Sequence, residues 1–360
     1  MRRIPLLTLL AALSLLTAIP AWAQSGLRTE GDRVGARGVY EAEVPVNSQG
    51  DAERSSAFAR GLGQVLGKLS GDRNAMGRPG VAAELANARD YVAGYDYRQD
   101  QGTSPSGAPT FRPTLVVRFT PDKVNGLMAD LGLPVWPQPR PKPVVWLAID
   151  DGSGPRLVGL GQANAARPLL NRAVERGFSL GLPAGNAAEQ ALAGAIWRQD
   201  TAAVARASSR YQPPMQLVGK LYRGKGGWVG DWVFVDAGKV LSKWSSSSAD
   251  ARGAMVAGAD GAADALIKRY ARRGTATAGG AAGTYRVVFS GINSTEDYLR
   301  LSAALQATRV VSKITPARAE GDMLELDLEL LTGLSGLKRN LGDDSPFTGG
   351  EGQPPVFQLK

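Results

Sequence analysis

Apolar positions recur along this chain with two periods, and an element ends where the period changes. Residues 39–46, VYEAEVPV, alternate as a half-buried strand does. Phe58, Leu62, Val65, Leu66 and Leu69 then fall on one face at helical spacing, predicting a helix over 51–69 that Ser70-Gly71-Asp72 stops. A shorter helix over 81–89, strands over 91–98 and 111–120 joined by a polar loop, and a helix over 121–131 complete a βαββα order. Residues 144–150, VVWLAID, form the unbroken apolar run of a buried strand. Helices are expected at 163–177 and 187–210, strands at 215–222, 228–236 and 239–245, and a long helix at 249–273. A second βαββα order follows: strand 285–292, helix 295–307, strands 309–317 and 322–331, and a short helix at 333–340. In the last strand Leu324, Leu326, Leu328 and Leu330 alternate with Glu325, Asp327 and Glu329. A hairpin turning near Glu320-Gly321 would set Lys313 opposite Asp327, so the acidic face reads as cross-strand charge pairing.

The expected fold class is therefore α+β and multi-domain. Two βαββα units, ferredoxin-like or related, occupy 38–132 and 284–340 and flank a mixed α/β unit at 144–273. Residues 133–143 are rich in proline and read as a semi-rigid linker; residues 274–283, small and Gly/Ala-rich, read as a flexible one. From 341 to 360 the Gly, Pro, Asp and Ser content predicts a disordered tail.

Residues 1–23 carry an address. Arg2 and Arg3 precede an apolar stretch at 4–19, Pro20 breaks it, and Ala21-Trp22-Ala23 supplies the small residues a signal peptidase requires. Cleavage before Gln24 is expected; a single-pass anchor is the competing reading. No Cys follows, so lipoprotein attachment is not expected, and no later stretch is apolar enough to span a bilayer. The expected location is the bacterial periplasm.

The formal net charge is +9, and residues 201–273 hold twelve Lys and Arg against five Asp. For an exported chain this points to anionic lipid or glycan of the envelope rather than nucleic acid, or to general solubility. Lys268, Arg269, Arg272 and Arg273 end the long helix, where its dipole favours cations.

The chain has no His and no Cys. That removes Ser-His-Asp and Cys-His centres, His- or Cys-ligated zinc, iron–sulfur clusters and disulfides. No cofactor or metal is expected. Asp150-Asp151, at the end of an apolar strand and before Gly-Ser-Gly-Pro, is either a hydrolase carboxylate pair or an ordinary turn. Ser335 and Lys338 match an S-x-x-K spacing, but the accompanying acyl-enzyme motifs are missing. Gly61, Gly63 and Gly67 lie inside a helix and suit close packing rather than a dinucleotide loop. The best binding lead is aromatic and basic: Trp228 and Trp232 share a strand face, Trp244 is on the next strand, and Lys220, Arg223 and Lys225 lie nearby. Facing solvent they would stack sugar rings or bind an anionic surface; facing inward they are core.

Several segments resemble the bacterial family catalogued as domain of unknown function 2066. They are Val44-Pro45-Val46, the helix with Arg54, Ala57, Phe58, Leu62, Val65, Leu66 and Leu69 before Ser70-Gly71, and Tyr91-Val92 with Tyr95 and Tyr97. Further along come Arg140-Pro141 before Val145-Trp146-Leu147-Ala148, Leu217-Val218-Gly219 with Leu221, and the spaced Trp228 and Trp232. Lys142-Pro143 is an insertion after Arg-Pro relative to that pattern. The resemblance implies an exported bacterial protein without an assigned activity and supplies no site residues. The expected role is a non-catalytic adaptor or scaffold that binds another envelope protein; the alternative is a binder of anionic lipid or glycan through the middle unit.

Overall fold

The computed structural model describes residues 28–34, 38–211, 215–271, 282–341 and 345–360; the leader at 1–23 and residues 274–281 of the Gly/Ala linker lie outside them. The protein is mixed α/β, on three mixed sheets.

The first sheet holds β1 (Arg28–Thr29), β2 (Glu41–Pro45), β3 (Val92–Thr103) and β4 (Pro109–Phe119) in the order β1-β3-β4-β2. Helix α1 (Asp51–Ser70) buries Phe58, Leu62, Val65 and Leu66 against Ala42, Val44, Leu115 and Val117, as its apolar face requires. Gly71 ends it in the left-handed conformation, φ 71°, with its N–H donating to the Gly67 carbonyl. Helices α2 (Val81–Ala86) and α3 (Pro121–Asp130) complete the unit.

The middle sheet comprises β5 (Val144–Asp150), β6 (Arg156–Leu157), β7 (Met215–Gly224), β8 (Gly227–Asp236) and β9 (Lys239–Ser248), ordered β6-β5-β7-β8-β9 with β5 and β7 parallel. Helices α4 (Arg167–Glu175) and α8 (Ala251–Tyr270) cover one face. On the other face, α5 (Ala187–Gln190), α6 (Ala193–Trp197) and α7 (Thr201–Ser208) replace the single helix expected at 187–210. Asn186 and Asp200 each accept a hydrogen bond from the N–H three residues on, restarting the helix, and Gln199 turns left-handed at φ 56°.

The third sheet contains β10 (Gly283–Ser290), β11 (Val311–Glu320), β12 (Met323–Leu330), β13 (Phe347–Glu351) and β14 (Val356–Leu359), ordered β11-β12-β10-β14-β13. Helices α9 (Thr295–Ala307) and α10 (Gly333–Leu341) accompany it. In both outer units the third strand of the βαββα order lies between the other two, β4 between β2 and β3 and β12 between β10 and β11.

Three expectations need correction. In place of a disordered tail, β13 and β14 form a hairpin whose Phe347 and Phe357 pack on Phe289 at 5.3 and 5.6 Å. The Gly/Pro-rich composition hid three apolar anchors, Phe347, Phe357 and Leu359. The proline-rich segment is not a free spacer. Trp136 is 1% exposed, sits in the middle core beside Phe178, and donates its backbone N–H to the Leu69 carbonyl at the end of α1. Arg140 stacks on Trp136 at 4.0 Å and donates to the Gly177 and Trp136 carbonyls, so the segment straps the first unit to the middle one. Finally, Lys313 faces Glu329, because Glu320 pairs with Met323 across a turn at Gly321-Asp322 and the register shifts again between Pro316 and Arg318, before Lys313 is reached; Asp327 instead takes a bidentate pair from Arg286 on β10, at 2.9 Å for each bond.

The outer units also touch each other. Arg339 of α10 donates to Asp130 of α3 at 2.6 Å and to Glu84 of α2 at 3.1 Å. Ser335 donates to Asp130, and Tyr91 and Asn340 donate to Glu84. This buried charge cluster accounts for Ser335 without acyl-enzyme chemistry.

Candidate functional site

The five residues singled out for binding do not converge. Trp232 is 1% exposed and lies under α8. Its indole occupies a niche made by the missing side chains of Gly219, Gly230 and Gly258; a Cβ at these positions would come within 2.3, 2.7 and 2.5 Å of it. It cannot stack a ligand. Trp228 is half-buried against the same core, with the Arg223 guanidinium 4.9 Å from its ring centroid. Lys220 points to the opposite face of the sheet, 3.3 Å from Asp231 and 5.7 and 5.5 Å from the ring centroids of Trp197 and Tyr222. Lys225 stands exposed in the β7–β8 turn. Alternation along β7 and β8 separates what proximity in sequence had grouped.

Asp150 and Asp151 shape a turn. Asp150 accepts the N–H groups of Gly152 and Gly154 at 2.8 and 3.0 Å. Asp151 accepts from Ser153 and Arg156 at 2.7 and 2.6 Å, and the Ser153 hydroxyl holds its carboxyl below the usual range, with Arg156 adding to the effect. Neither lines the two clefts described next.

The first cleft is a groove of about 750 Å³ between β9 and α8. Leu241, Trp244 and Ser246 form one wall, and Gly261, Ala265 and Lys268 the other. Trp244 is half-buried, its Nε1 donates to the Ala257 carbonyl at 3.1 Å, and Gly261 gives its ring room. Among the described residues β9 pairs with β8 alone. Its other edge therefore presents the backbone donors and acceptors of every second residue of a ten-residue strand, beside a helix. Charges of both signs line the groove: Asp260 and Asp264 are paired with arginines, Arg269 pairs with Asp236 at 2.8 Å, and Lys268 is exposed.

The second cleft, about 290 Å³, lies where the first unit meets α4 of the middle unit. At its wall, Arg176 donates to Asp260 at 2.6 Å, to Asp264 at 2.8 Å and to the Gly71 carbonyl at 3.2 Å. Burial pushes the Asp260 carboxyl up, but hydrogen bonds from Arg176 and Arg172 outweigh it and hold the group below the usual range. Lys68, 5% exposed, donates to the Glu41 carbonyl at 2.8 Å. Burial pulls its ammonium down to about 8, against the smaller opposing pull of Glu43 and Glu41.

Sequence reasoning missed Lys68, although a signal existed. Gly61, Val65 and Lys68 share a helical face, so Lys68 continues a buried stripe. Arg172 and Arg176 are likewise one turn apart on α4, but nothing local to them announces Asp260, which lies 84 residues beyond Arg176.

Residues 34–137 match the family described as a domain of unknown function (DUF8605). This overturns the resemblance to family 2066, a different domain of unknown function. Two features that carried that resemblance are packing features: the Ser70-Gly71 stop is a helix cap, and Trp232 of the spaced pair fits a niche of glycines. The matched stretch covers the first unit from β2 to α3 and runs through Trp136, the residue that straps it to the middle core. No curated protein and no solved structure matches the chain.

Proposed function

We propose that the protein is an exported, non-catalytic adaptor that takes an extended acidic segment of another envelope protein as an added strand on β9. The observation that carries this reading is the groove: a ten-residue edge strand, walled by a helix, with Trp244 at its side. Backbone pairing along such an edge supplies affinity, and pockets for alternate side chains supply selectivity. Lys268 at one end, with Lys239 and Lys243 exposed on the strand, favours carboxylates in the occupant. Export rests on the leader pattern at 1–23, and the proposed mature chain begins at Gln24. The anionic-surface alternative loses the Trp232 half of its stacking surface to burial.

The test is a photo-reactive residue at position 247 of β9 in intact cells. The expected result is one crosslinked protein that disappears in both Trp244→Ala and Lys268→Glu. No product, or a product indifferent to both substitutions, refutes the reading. Amino-terminal sequencing of the mature protein checks the cleavage site; an intact leader on the purified protein would refute the proposed processing.

A further inference from the structure

A buried charge is stable when it is paired, and the cleft between the first and middle units is paired with one exception. Arg33 holds Glu43 at 3.0 Å. Arg172 holds Glu175 and Asp260 at 3.1 and 2.9 Å, Arg176 holds Asp260 and Asp264, and Arg73 also pairs with Asp264. Asp72 is held by Arg78 at 2.8 Å. Each of these guanidinium groups has a carboxylate. Lys68 has none within ion-pair distance: Glu43, Glu41 and Glu175 act on its ammonium from farther off, and among the described residues it makes one hydrogen bond, to a backbone carbonyl. It is nevertheless 5% exposed and lines a cleft of about 290 Å³. An ammonium has three N–H donors, so two remain for whatever enters. The floor beside it is Gly67, where an added Cβ would meet no atom nearer than 4.0 Å.

We propose that this cleft binds a small oxyanion of the phosphate class, with Lys68 as its counter-charge and the surrounding arginines as secondary donors. The volume suits a free anion of a few heavy atoms. Arg172 lies on α4 and Arg176 caps its C-terminus while Lys68 comes from α1, so the bound anion bridges the two units and tightens their docking. Arg73 lines both this cleft and the β9 groove, and Arg172 and Arg176 pair with Asp260 of the groove, but Lys68 lines this cleft and not the groove, so the proposal does not rest on strand addition to β9. Linkage gives it a signature. The groups around the ammonium are Glu43, Glu41 and Glu175, which favour its charge, and Arg33, which opposes it; burial outweighs them all and leaves it near 8. An added anion raises it, so binding at pH 8 takes up a proton.

The experiment is calorimetry of the full chain with inorganic phosphate at pH 8, at constant ionic strength, in two buffers of different ionisation enthalpy. Binding with net proton uptake is expected for the wild type, and at least a tenfold loss of affinity for Lys68→Met. Circular dichroism checks that this variant is folded. In parallel, acylation of Lys68 by a small amine-reactive reagent, read by mass spectrometry, is expected to slow several-fold with phosphate but not with chloride. A glycerol 3-phosphate arm separates free phosphate from a phosphate carried on a headgroup: equal binding admits both, and loss of binding restricts the site to the free ion. Absence of phosphate binding, binding unchanged in Lys68→Met, or acylation equally slowed by chloride would overturn the proposal.

Discussion

Replacing Gly258 by alanine sets helix propensity against packing. Gly258 lies inside α8, and glycine in a helix interior is about 1 kcal/mol worse than alanine, so propensity alone predicts stabilisation. The new Cβ would lie 2.5, 2.6 and 2.7 Å from Cζ2, Cε2 and Cη2 of Trp232. The indole has nowhere to retreat, because the positions of Gly219 and Gly230 already fit against it as closely. Overpacking a rigid core costs about 1–3 kcal/mol, and a bulky ring confined by glycine backbone belongs near the top of that range. The net expectation is a loss of about 2 kcal/mol, or a fall of roughly 4–8 °C in melting temperature for a unit of this size. The assay is unfolding followed by near-ultraviolet circular dichroism of the tryptophans. Gly126→Ala in α3 is the control: a Cβ there meets nothing within 4 Å, so it should stabilise by about 0.5–1 kcal/mol. If Gly258→Ala stabilises as Gly126→Ala does, Trp232 is not seated against α8 as described.

Removing Arg339 leaves the buried carboxylates of Glu84 and Asp130 uncompensated, so Arg339→Met should cost about 3–5 kcal/mol of docking and speed proteolytic release of the third unit. Trp136→Ala should cost about 3–5 kcal/mol in urea titration and uncouple the unfolding of the first and middle units. The Asp260 carboxyl is held low in the folded state, so its contribution is complete above about pH 4 and is lost as pH falls through the folded value. Asp260→Asn should flatten the acid limb of a plot of urea midpoint against pH. Lys68 acts with the same sign at higher pH: its folded value of about 8 lies below the ordinary 10.5, the unfolded chain holds the extra proton between them, and stability should rise over that interval. Lys68→Met should remove the rise, again read as urea midpoint against pH.

How much of this was legible in sequence depends on the range of the interaction. The helix face of Phe58, Leu62, Val65 and Leu66 and the alternation of Leu324 to Leu330 are local patterns, and both are buried as their spacing requires. The tail failed because composition was averaged over residues whose three apolar anchors decide the outcome. The proline-rich segment failed similarly: one tryptophan among the prolines finds a core pocket, and a neighbouring arginine covers it. The binding lead failed on parity, since Lys220 and Trp232 belong to opposite faces of one sheet. The two clefts were not legible, because each is assembled from elements far apart in the chain, Lys68 beside Arg172 and Trp244 beside Lys268. Trp244 and the cations of α8 were visible separately, but only the strand order makes β9 an edge and brings them together.

Strand addition on β9 makes a direct demand on backbone amides. Hydrogen exchange should be followed residue by residue in the free protein and in the complex isolated by the position-247 crosslink. Amides along the outer edge of β9 should exchange markedly more slowly in the complex, while those of the edge strand β11 remain unchanged. If the complex forms and β9 exchanges as it does in the free protein, the partner is held elsewhere and the account of this groove is wrong.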